Sequence, residues 1–124
     1  MSASQSRLVA GAAVLLGVVM MFSGASKLVG EPHQVAAFAR FGLPPWFRAL
    51  TGSFELGGGL LLATPATTPI GSLILSTIMV GAIWAHSAAG EWIDLFPVTL
   101  LLVLFLGLFH RTRSRAVRLL GRVS

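Results

Sequence analysis

The chain has 124 residues, of which 55% are hydrophobic and only 10% are charged. Soluble domains carry about a quarter charged residues, so this composition argues against a water-soluble fold and indicates one all-α integral membrane domain. The net charge is +5, and the absence of cysteine excludes disulfides, thiol redox chemistry and thiolate metal sites.

Four apolar segments are long enough to cross the hydrocarbon core, which takes roughly 20 residues. In chain order they lie between Arg7 and Lys27, from Trp46 or Phe47 to just before Pro65, over about 68–88, and over about 92–109. Pro65 and Pro69 bracket a hairpin that divides the longest uncharged stretch into two helices. The pattern predicts a four-helix membrane bundle.

The first segment allows a second interpretation, a cleaved secretory signal. Its Ser23-Gly24-Ala25 sequence resembles a small-residue cleavage site. The apolar run from Leu8 to Phe22 is, however, longer than most signal cores. We therefore favour a membrane helix here.

Basic residues in the flanks of the segments predict the orientation of the bundle. With four spans, one side holds Arg7, Arg111, Arg113, Arg115, Arg118 and Arg122, and the other holds Lys27, Arg40 and Arg48. The more basic side is expected in the cytoplasm, so both termini are predicted to be cytoplasmic. Trp46, Trp84 and Trp92 then fall near the outer interface, where amphipathic rings prefer to lie.

The first outer loop, residues 30–45, has features of a short helix lying at the membrane interface. Pro32 suits a first helical turn, Gly42 suits a helix end, and Val35 and Phe38 could share one face. An ordinary loop with chance spacing is the alternative.

A basic tail follows the last segment and divides the chain into a membrane domain, residues 1–110, and a tail, residues 111–124. On a helix, four of its arginines share one side: Arg111, Arg115, Arg118 and Arg122. This predicts an amphipathic helix that lies on the membrane surface and contacts anionic lipid headgroups. Nucleic-acid binding is not expected, because no recognition pattern accompanies the arginines.

Glu55 is the most informative residue, because it lies about eight residues, or roughly 12 Å, into the second segment. A carboxylate there costs an estimated 2.5 kcal/mol or more, so it is expected to face a partner or a cavity. Lys27 and His86, near the outer ends of the first and third segments, are its predicted partners.

Helical spacing adds three more residues to this site. Arg48 and Thr51 lie on the same helical face as Glu55, and Ser23 precedes Lys27 by one turn. The predicted polar, ligand-binding cluster therefore comprises Ser23, Lys27, Arg48, Thr51, Glu55 and His86. Structural alternatives stay open: a lysine that reaches the headgroups, an interfacial arginine anchor, a packing histidine, and an ion pair without chemistry.

Small residues recur at every fourth position on two of the predicted helices. The two series are Ala49, Ser53 and Gly57, and Gly81, Ala85 and Ala89. Such stripes predict close helix packing around the polar cluster.

Several activities find no support in the sequence. No metal-ligand spacing, nucleotide-binding fingerprint or nucleophile motif is present, so we expect no metal site, no catalytic residue and no covalent cofactor. His33 and His86 are predicted outside and His110 inside, which disfavours a haem pair. The chain on its own is not expected to be an enzyme.

Four short motifs occur in order along the chain. They are Gly24-Ala25-Ser26-Lys27-Leu28, Phe41-Gly42-Leu43-Pro44, Gly52-Ser53-Phe54-Glu55-Leu56-Gly57-Gly58 and Met79-Val80-Gly81-Ala82. Together they resemble the DoxX-like family of small bacterial four-helix membrane proteins, over roughly residues 14–106. The resemblance implies that Lys27 and Glu55 are the polar residues that the family carries within its helices.

The resemblance also implies a functional setting, since the family takes its name from a subunit associated with a membrane thiosulfate:quinone oxidoreductase. We therefore expect an accessory subunit of a larger membrane complex in the bacterial inner membrane, with lipids and other subunits as partners. The alternative is an autonomous protein that binds a quinone or lipid-like molecule at Glu55. A transporter or channel subunit and a homo-oligomer are further possibilities.

Overall fold

The computed structural model describes residues 1–123, with side chains through Gly121, and every regular element in this range is helical. The α-helices are α1 (Ala3–Leu28), α2 (Pro32–Arg40), α3 (Pro45–Ala63), α4 (Thr68–Ala88) and α5 (Leu95–Val123). Two 3₁₀ turns, Pro65–Thr67 and Trp92–Asp94, precede α4 and α5. The all-α prediction is confirmed, and α4 has the predicted bounds.

The short helix α2 lies inside the loop where the sequence predicted one. Gly30 turns the chain after α1 with a φ of 74°, a conformation that costs glycine little. The Glu31 carboxylate then accepts hydrogen bonds from the backbone N–H groups of His33 and Gln34, which caps α2 at its start. Gly42, with a φ of 73°, turns the chain again after the helix.

Helices α1 and α3 are antiparallel and touch through glycines. A Cβ on Gly17 would lie 2.6 Å from the carbonyl oxygen of Gly59, and one on Gly24 would lie 2.5 Å from that of Gly52. Gly57, by contrast, faces open space. The close contact therefore uses a different stripe from the one predicted, because α3 carries small residues on several faces and spacing alone does not select among them.

The four long helices share one apolar core. Leu62 of α3, Leu75 of α4 and Phe105 of α5 are fully buried, and Met20 of α1 is 2% exposed. Between membrane helices, where lipid is the alternative, such side chains stabilise the bundle through close van der Waals packing. Because its residues come from all four long helices, this core joins them in one bundle.

Three helical stretches are long and apolar enough to cross a membrane: Ala3–Leu28, Pro65–Ala88 and Trp92–Gly121. Helix α3 is not among them, because Arg48, Glu55 and its glycines lower its hydropathy. It lies between α1 and α4 and packs against both. The sequence-based count of four spans is thus supported for three of the helices.

The last helix continues well beyond the predicted end near Phe109. Helix α5 is uninterrupted to Val123, so no helix boundary separates the basic tail from the membrane segment. The Arg115 guanidinium donates a 2.9 Å hydrogen bond to the Pro65 carbonyl, which ties this extension to the turn before α4. The division of the chain at residue 110 stays a prediction.

Candidate functional site

Three polar side chains meet between α1 and α3, and we refer to Ser23, Lys27 and Glu55 as the Glu55 cluster. Lys27 Nζ lies 2.7 Å from Glu55 Oε2 and donates a 3.0 Å hydrogen bond to Ser23 Oγ. The Ser23 hydroxyl in turn donates a 3.2 Å hydrogen bond to Glu55 Oε1. The side chains of Lys27 and Glu55 are 12% and 3% exposed, so the ion pair is buried.

The two oxygens of Glu55 have different surroundings. Oε1 accepts the hydrogen bond from Ser23. Oε2 is in ion-pair contact with Lys27, but it accepts no hydrogen bond of normal geometry from any residue that the structure describes. Oε2 is itself fully buried, so the charge of Lys27 is what balances it in the structure.

The glycine contact between α1 and α3 explains why Lys27 and Glu55 meet. Gly24 and Gly52 pack against each other, and Lys27 and Glu55 each lie three residues further along their own chains. A Cβ on Gly24 would lie 3.1 Å from Glu55 Cβ, and one on Gly52 would lie 2.9 Å from Lys27 Cβ, so each glycine faces one member of the pair on the opposite helix. Because Cα–Cβ bonds tilt toward the N-terminus of a helix, the side chains of Lys27 and Glu55 also lean toward each other.

Arg48 and Thr51 of the predicted cluster bind backbone carbonyls instead of Glu55. The Arg48 guanidinium donates to the carbonyl oxygen of Lys27, in the last turn of α1, where carbonyls lack helical partners. The Thr51 hydroxyl donates to the carbonyl oxygen of Phe47, one turn earlier in α3. Arg48 therefore stabilises the end of α1 next to the cluster.

His86, the other expected partner of Glu55, belongs to a separate network at the end of α4. Its Nδ1 lies 2.9 Å from Glu91 Oε1, and Arg40 Nε donates a 2.9 Å hydrogen bond to Glu91 Oε2. We call these three residues the Arg40 network. The Arg40 guanidinium and then His86, through their hydrogen bonds, hold the pKa of the Glu91 carboxyl below its ordinary value of 4.5.

The Arg40 network ties α2 to the loop between α4 and α5, and sequence reasoning did not find it. Arg40 and Glu91 are opposite charges in the two loops predicted on the same side of the membrane. These opposite charges were the one sequence feature that indicated the contact. They were not sufficient to predict it, because the side of α2 on which Arg40 lies depends on how α2 packs.

A cavity of about 640 Å³ lies beneath α2 and is lined by residues from all five helices. We call it the α2 cavity. Ser23, Lys27 and Glu55 form one part of its wall, and Thr51 and His86 also line it. The predicted cluster, except for Arg48, therefore surrounds one cavity even though its members do not all touch.

Most of the remaining wall of the α2 cavity is apolar or aromatic. Its aromatic side chains are Phe38, Phe41, Phe47, Phe54 and Trp84. Phe38 packs on Phe41 and Phe47 with ring centroids 6.1 and 6.5 Å apart, and Phe41 meets the His86 ring edge-on at 5.1 Å. An apolar cavity with a few convergent polar groups is typical of a small-molecule site.

A second group of potential ligands lies at the Arg40 network. Ligand atoms of His86, Glu91 and Asp94 lie within 4.8 Å of one another. Both oxygens of Glu91 already contact Arg40 and His86, and an arginine beside the group disfavours a cation. This arrangement fits an ion-pair network better than a metal site.

The predicted interface residues lie at the two ends of the bundle. Trp46, Trp84 and Trp92 are exposed and lie at the end where α2 lies. At the opposite end, the structure exposes Arg111 and Arg118 and leaves Arg115 half-buried. Arg122 lies outside the residues whose side chains are described. That these residues lie at the two membrane interfaces stays a prediction.

Comparison with known proteins gives one match. The family model described as the DoxX-like family matches residues 11–108, which include the Glu55 cluster and all of the α2 cavity wall. No curated protein and no solved structure matches the chain significantly.

Proposed function

The chain belongs to the DoxX-like family, and from this premise we propose that its α2 cavity binds a small lipid-like molecule, with quinones as one candidate class. The observation that carries the proposal is the buried Lys27–Glu55 pair in the cavity wall. An ion pair shielded from water gains little stability over apolar packing, so a role in binding explains its presence beside a cavity.

The size and lining of the α2 cavity support a ligand of drug-like dimensions. Its volume of about 640 Å³ falls within the roughly 300–1,000 Å³ typical of small-molecule sites. The apolar wall would bury a hydrocarbon part, and the Glu55 cluster would hold a polar end. A molecule with both parts partitions into membranes and could enter the cavity from the lipid.

We further propose that α3 is a fourth span, that both termini are cytoplasmic and that the protein lies in the bacterial inner membrane. Support comes from the polar groups of α3, which face other protein groups: Arg48 binds the end of α1 and Glu55 pairs with Lys27. Polar residues within membrane helices are tolerated in this position.

Ligand retention during purification tests the proposed binding function. Protein extracted from native membranes in a mild detergent is analysed by mass spectrometry for co-purifying small molecules. We expect the unaltered protein to retain a lipid-like molecule that Glu55→Gln loses, while circular dichroism shows the helices intact. The matched control is Glu31→Gln, because Glu31 does not line the cavity. Equal retention by Glu55→Gln, or none by the unaltered protein, contradicts the proposal.

A second proposal is that the protein acts as an accessory subunit of a larger, quinone-linked membrane complex. The observation that favours it is the exposure of α5, whose apolar segment is only 11% buried, leaving a face for lipid or another helix. Because the chain has no cysteine, electron transfer would need a bound cofactor or a partner. The same purification tests this: a stoichiometric partner supports it, and a chain that always purifies alone contradicts it.

A further inference from the structure

A second, smaller cavity of about 350 Å³ lies at the end of the bundle opposite α2, between the turn before α4 and the extension of α5. We call it the Arg115 notch. Its wall consists of Pro65, Ala66, Arg115, Arg118 and Leu119. None of these residues lines the α2 cavity, so the notch is a separate feature of the molecule.

Two arginines of α5 line the notch with N–H donors that the chain does not use. The Arg115 guanidinium donates a 2.9 Å hydrogen bond from Nη1 to the Pro65 carbonyl, and this bond lies at the surface. A guanidinium has five N–H donors, so Arg115 retains donors after this bond is made. Arg118 lies one turn later, is exposed, and makes no hydrogen bond or ion pair with any residue that the structure describes.

No acidic side chain balances the charge of these two arginines. The chain has four acidic residues. Glu31, Glu91 and Asp94 lie at the opposite end of the bundle, where α2 lies, and Glu55 is paired with Lys27. An anion at the notch therefore meets positive charge without competition from a carboxylate side chain of this chain.

The notch lies at the level where lipid phosphates are expected. Pro65 is the first residue of Pro65–Ala88, one of the stretches that are long and apolar enough to cross a membrane. The end of such a stretch meets the polar headgroup layer, so a guanidinium bonded to the Pro65 carbonyl lies in that layer too. Ala66 and Leu119 are apolar and suit the glycerol and the first carbons of the acyl chains.

We propose that the Arg115 notch binds one anionic phospholipid, whose phosphate is held by the guanidinium groups of Arg115 and Arg118. A planar guanidinium matches pairs of phosphate oxygens and keeps its charge at physiological pH. Because the bond to Pro65 already fixes Arg115, this side chain loses less freedom on binding than a mobile one. Such a site differs from a diffuse attraction between a basic tail and the membrane, because it depends on which arginine is removed.

Lipid titration followed by native mass spectrometry tests the site and counts the bound molecules. The protein in a mild detergent is titrated with dioleoyl phosphatidylglycerol, which is anionic, or with dioleoyl phosphatidylcholine, which has the same tails and no net charge. We expect the first phosphatidylglycerol to bind about fivefold or more tightly than phosphatidylcholine. Arg115→Gln and Arg118→Gln should each weaken its binding about fivefold, which corresponds to about 1 kcal/mol per arginine near anionic lipid.

Arg113→Gln is the matched control. It removes the same charge from the same helix, but Arg113 lies outside the notch and about 160° around α5 from Arg115. This substitution should leave the affinity for phosphatidylglycerol nearly unchanged. Equal weakening by Arg113→Gln and Arg118→Gln, or equal binding of the two lipids, would overturn the site. Arg118→Gln decides the outcome even where Arg115→Gln disturbs the fold, because Arg118 bonds to no described residue.

Inorganic phosphate distinguishes a lipid site from a site for free phosphate. Added at the same concentration as the lipid, it should not displace phosphatidylglycerol, because it has no acyl chain to contact Ala66 and Leu119. Displacement at equal concentration would overturn the assignment to a lipid. These measurements do not involve the α2 cavity, so their failure would leave the proposed binding function of that cavity unaffected.

Discussion

Gly24 of α1 and Gly52 of α3 pack so closely that a Cβ on Gly24 would lie 2.5 Å from the carbonyl oxygen of Gly52. The opposing atoms are backbone, which does not move aside as the end of a flexible side chain does. This contact sets the register that brings Lys27 and Glu55 together. The polar site therefore depends on two residues without side chains.

The first prediction concerns this contact. Gly24→Ala is expected to destabilise the protein by about 1–3 kcal/mol, the usual cost of overpacking, because α1 and α3 must separate. Thermal unfolding in detergent measures the effect. Gly57→Ala is the control on α3, since its Cβ would meet nothing within 4 Å, and it should be neutral or slightly stabilising. Equal losses of stability from the two substitutions would show that the Gly24–Gly52 contact does not require glycine.

The second prediction concerns the energy of the Lys27–Glu55 pair. Lys27→Met or Glu55→Leu alone should each destabilise the protein by about 3–5 kcal/mol, because each leaves one buried charge without its partner. The double variant should recover most of that loss. Unfolding of the three variants completes a double-mutant cycle. Additive losses would mean that the two side chains do not interact.

The third prediction concerns pH and the Arg40 network. Because the folded state holds the pKa of Glu91 below 4.5, its ionised form stabilises the attachment of α2. That stabilisation is present above pH 4.5 and is lost as the pH falls through the lower, folded-state pKa. Spin labels at Ala36→Cys and Ala89→Cys, in a chain without native cysteine, should report a longer or broader distance below pH 4.5.

Two variants identify the group responsible for this pH dependence. In Glu91→Gln the labels should show the low-pH distance distribution at neutral pH as well. Glu31 is the control, because hydrogen bonds from His33 also lower its pKa but it lies outside the Arg40 network. If Glu31→Gln removes the transition and Glu91→Gln does not, the assignment to Glu91 is incorrect.

The fourth prediction concerns the end of α1. Arg48→Met removes the donor to the Lys27 carbonyl, and we expect a loss of stability of about 1.5 kcal/mol, at the low end for a charged hydrogen bond because Arg48 is half-buried. Amide hydrogen exchange should rise at Leu28 and Val29 and stay unchanged in α5. Unchanged exchange at the end of α1 would argue against this role.

The fifth prediction tests the orientation. A membrane-impermeant maleimide should label Ala36→Cys on α2 in intact spheroplasts, whereas Ser114→Cys on α5 should react only after permeabilisation. Both positions are exposed. Labelling of Ser114→Cys in intact spheroplasts would place the C-terminal end outside and reverse the predicted topology.

The sequence by itself determined the helical membrane class, the bounds of α4 and the presence of a paired carboxylate at Glu55. Apolar length, proline punctuation and the cost of an isolated charge in lipid are properties of short segments, so they can be read without a fold. The pairing of Lys27 with Glu55 was also predictable, because both lie toward the same end of neighbouring helices.

Only the tertiary structure decided which glycines form the α1–α3 contact, where His86 and Arg48 bind, and that a cavity lies beneath α2. Spacing identifies several equivalent faces on a helix, and the choice among them depends on the packing of all the helices together. Long side chains such as Arg40 and Arg48 can also reach several acceptors. Which acceptor each of them binds depends on the distances between segments that are far apart in the chain. Helical periodicity gives no information about those distances.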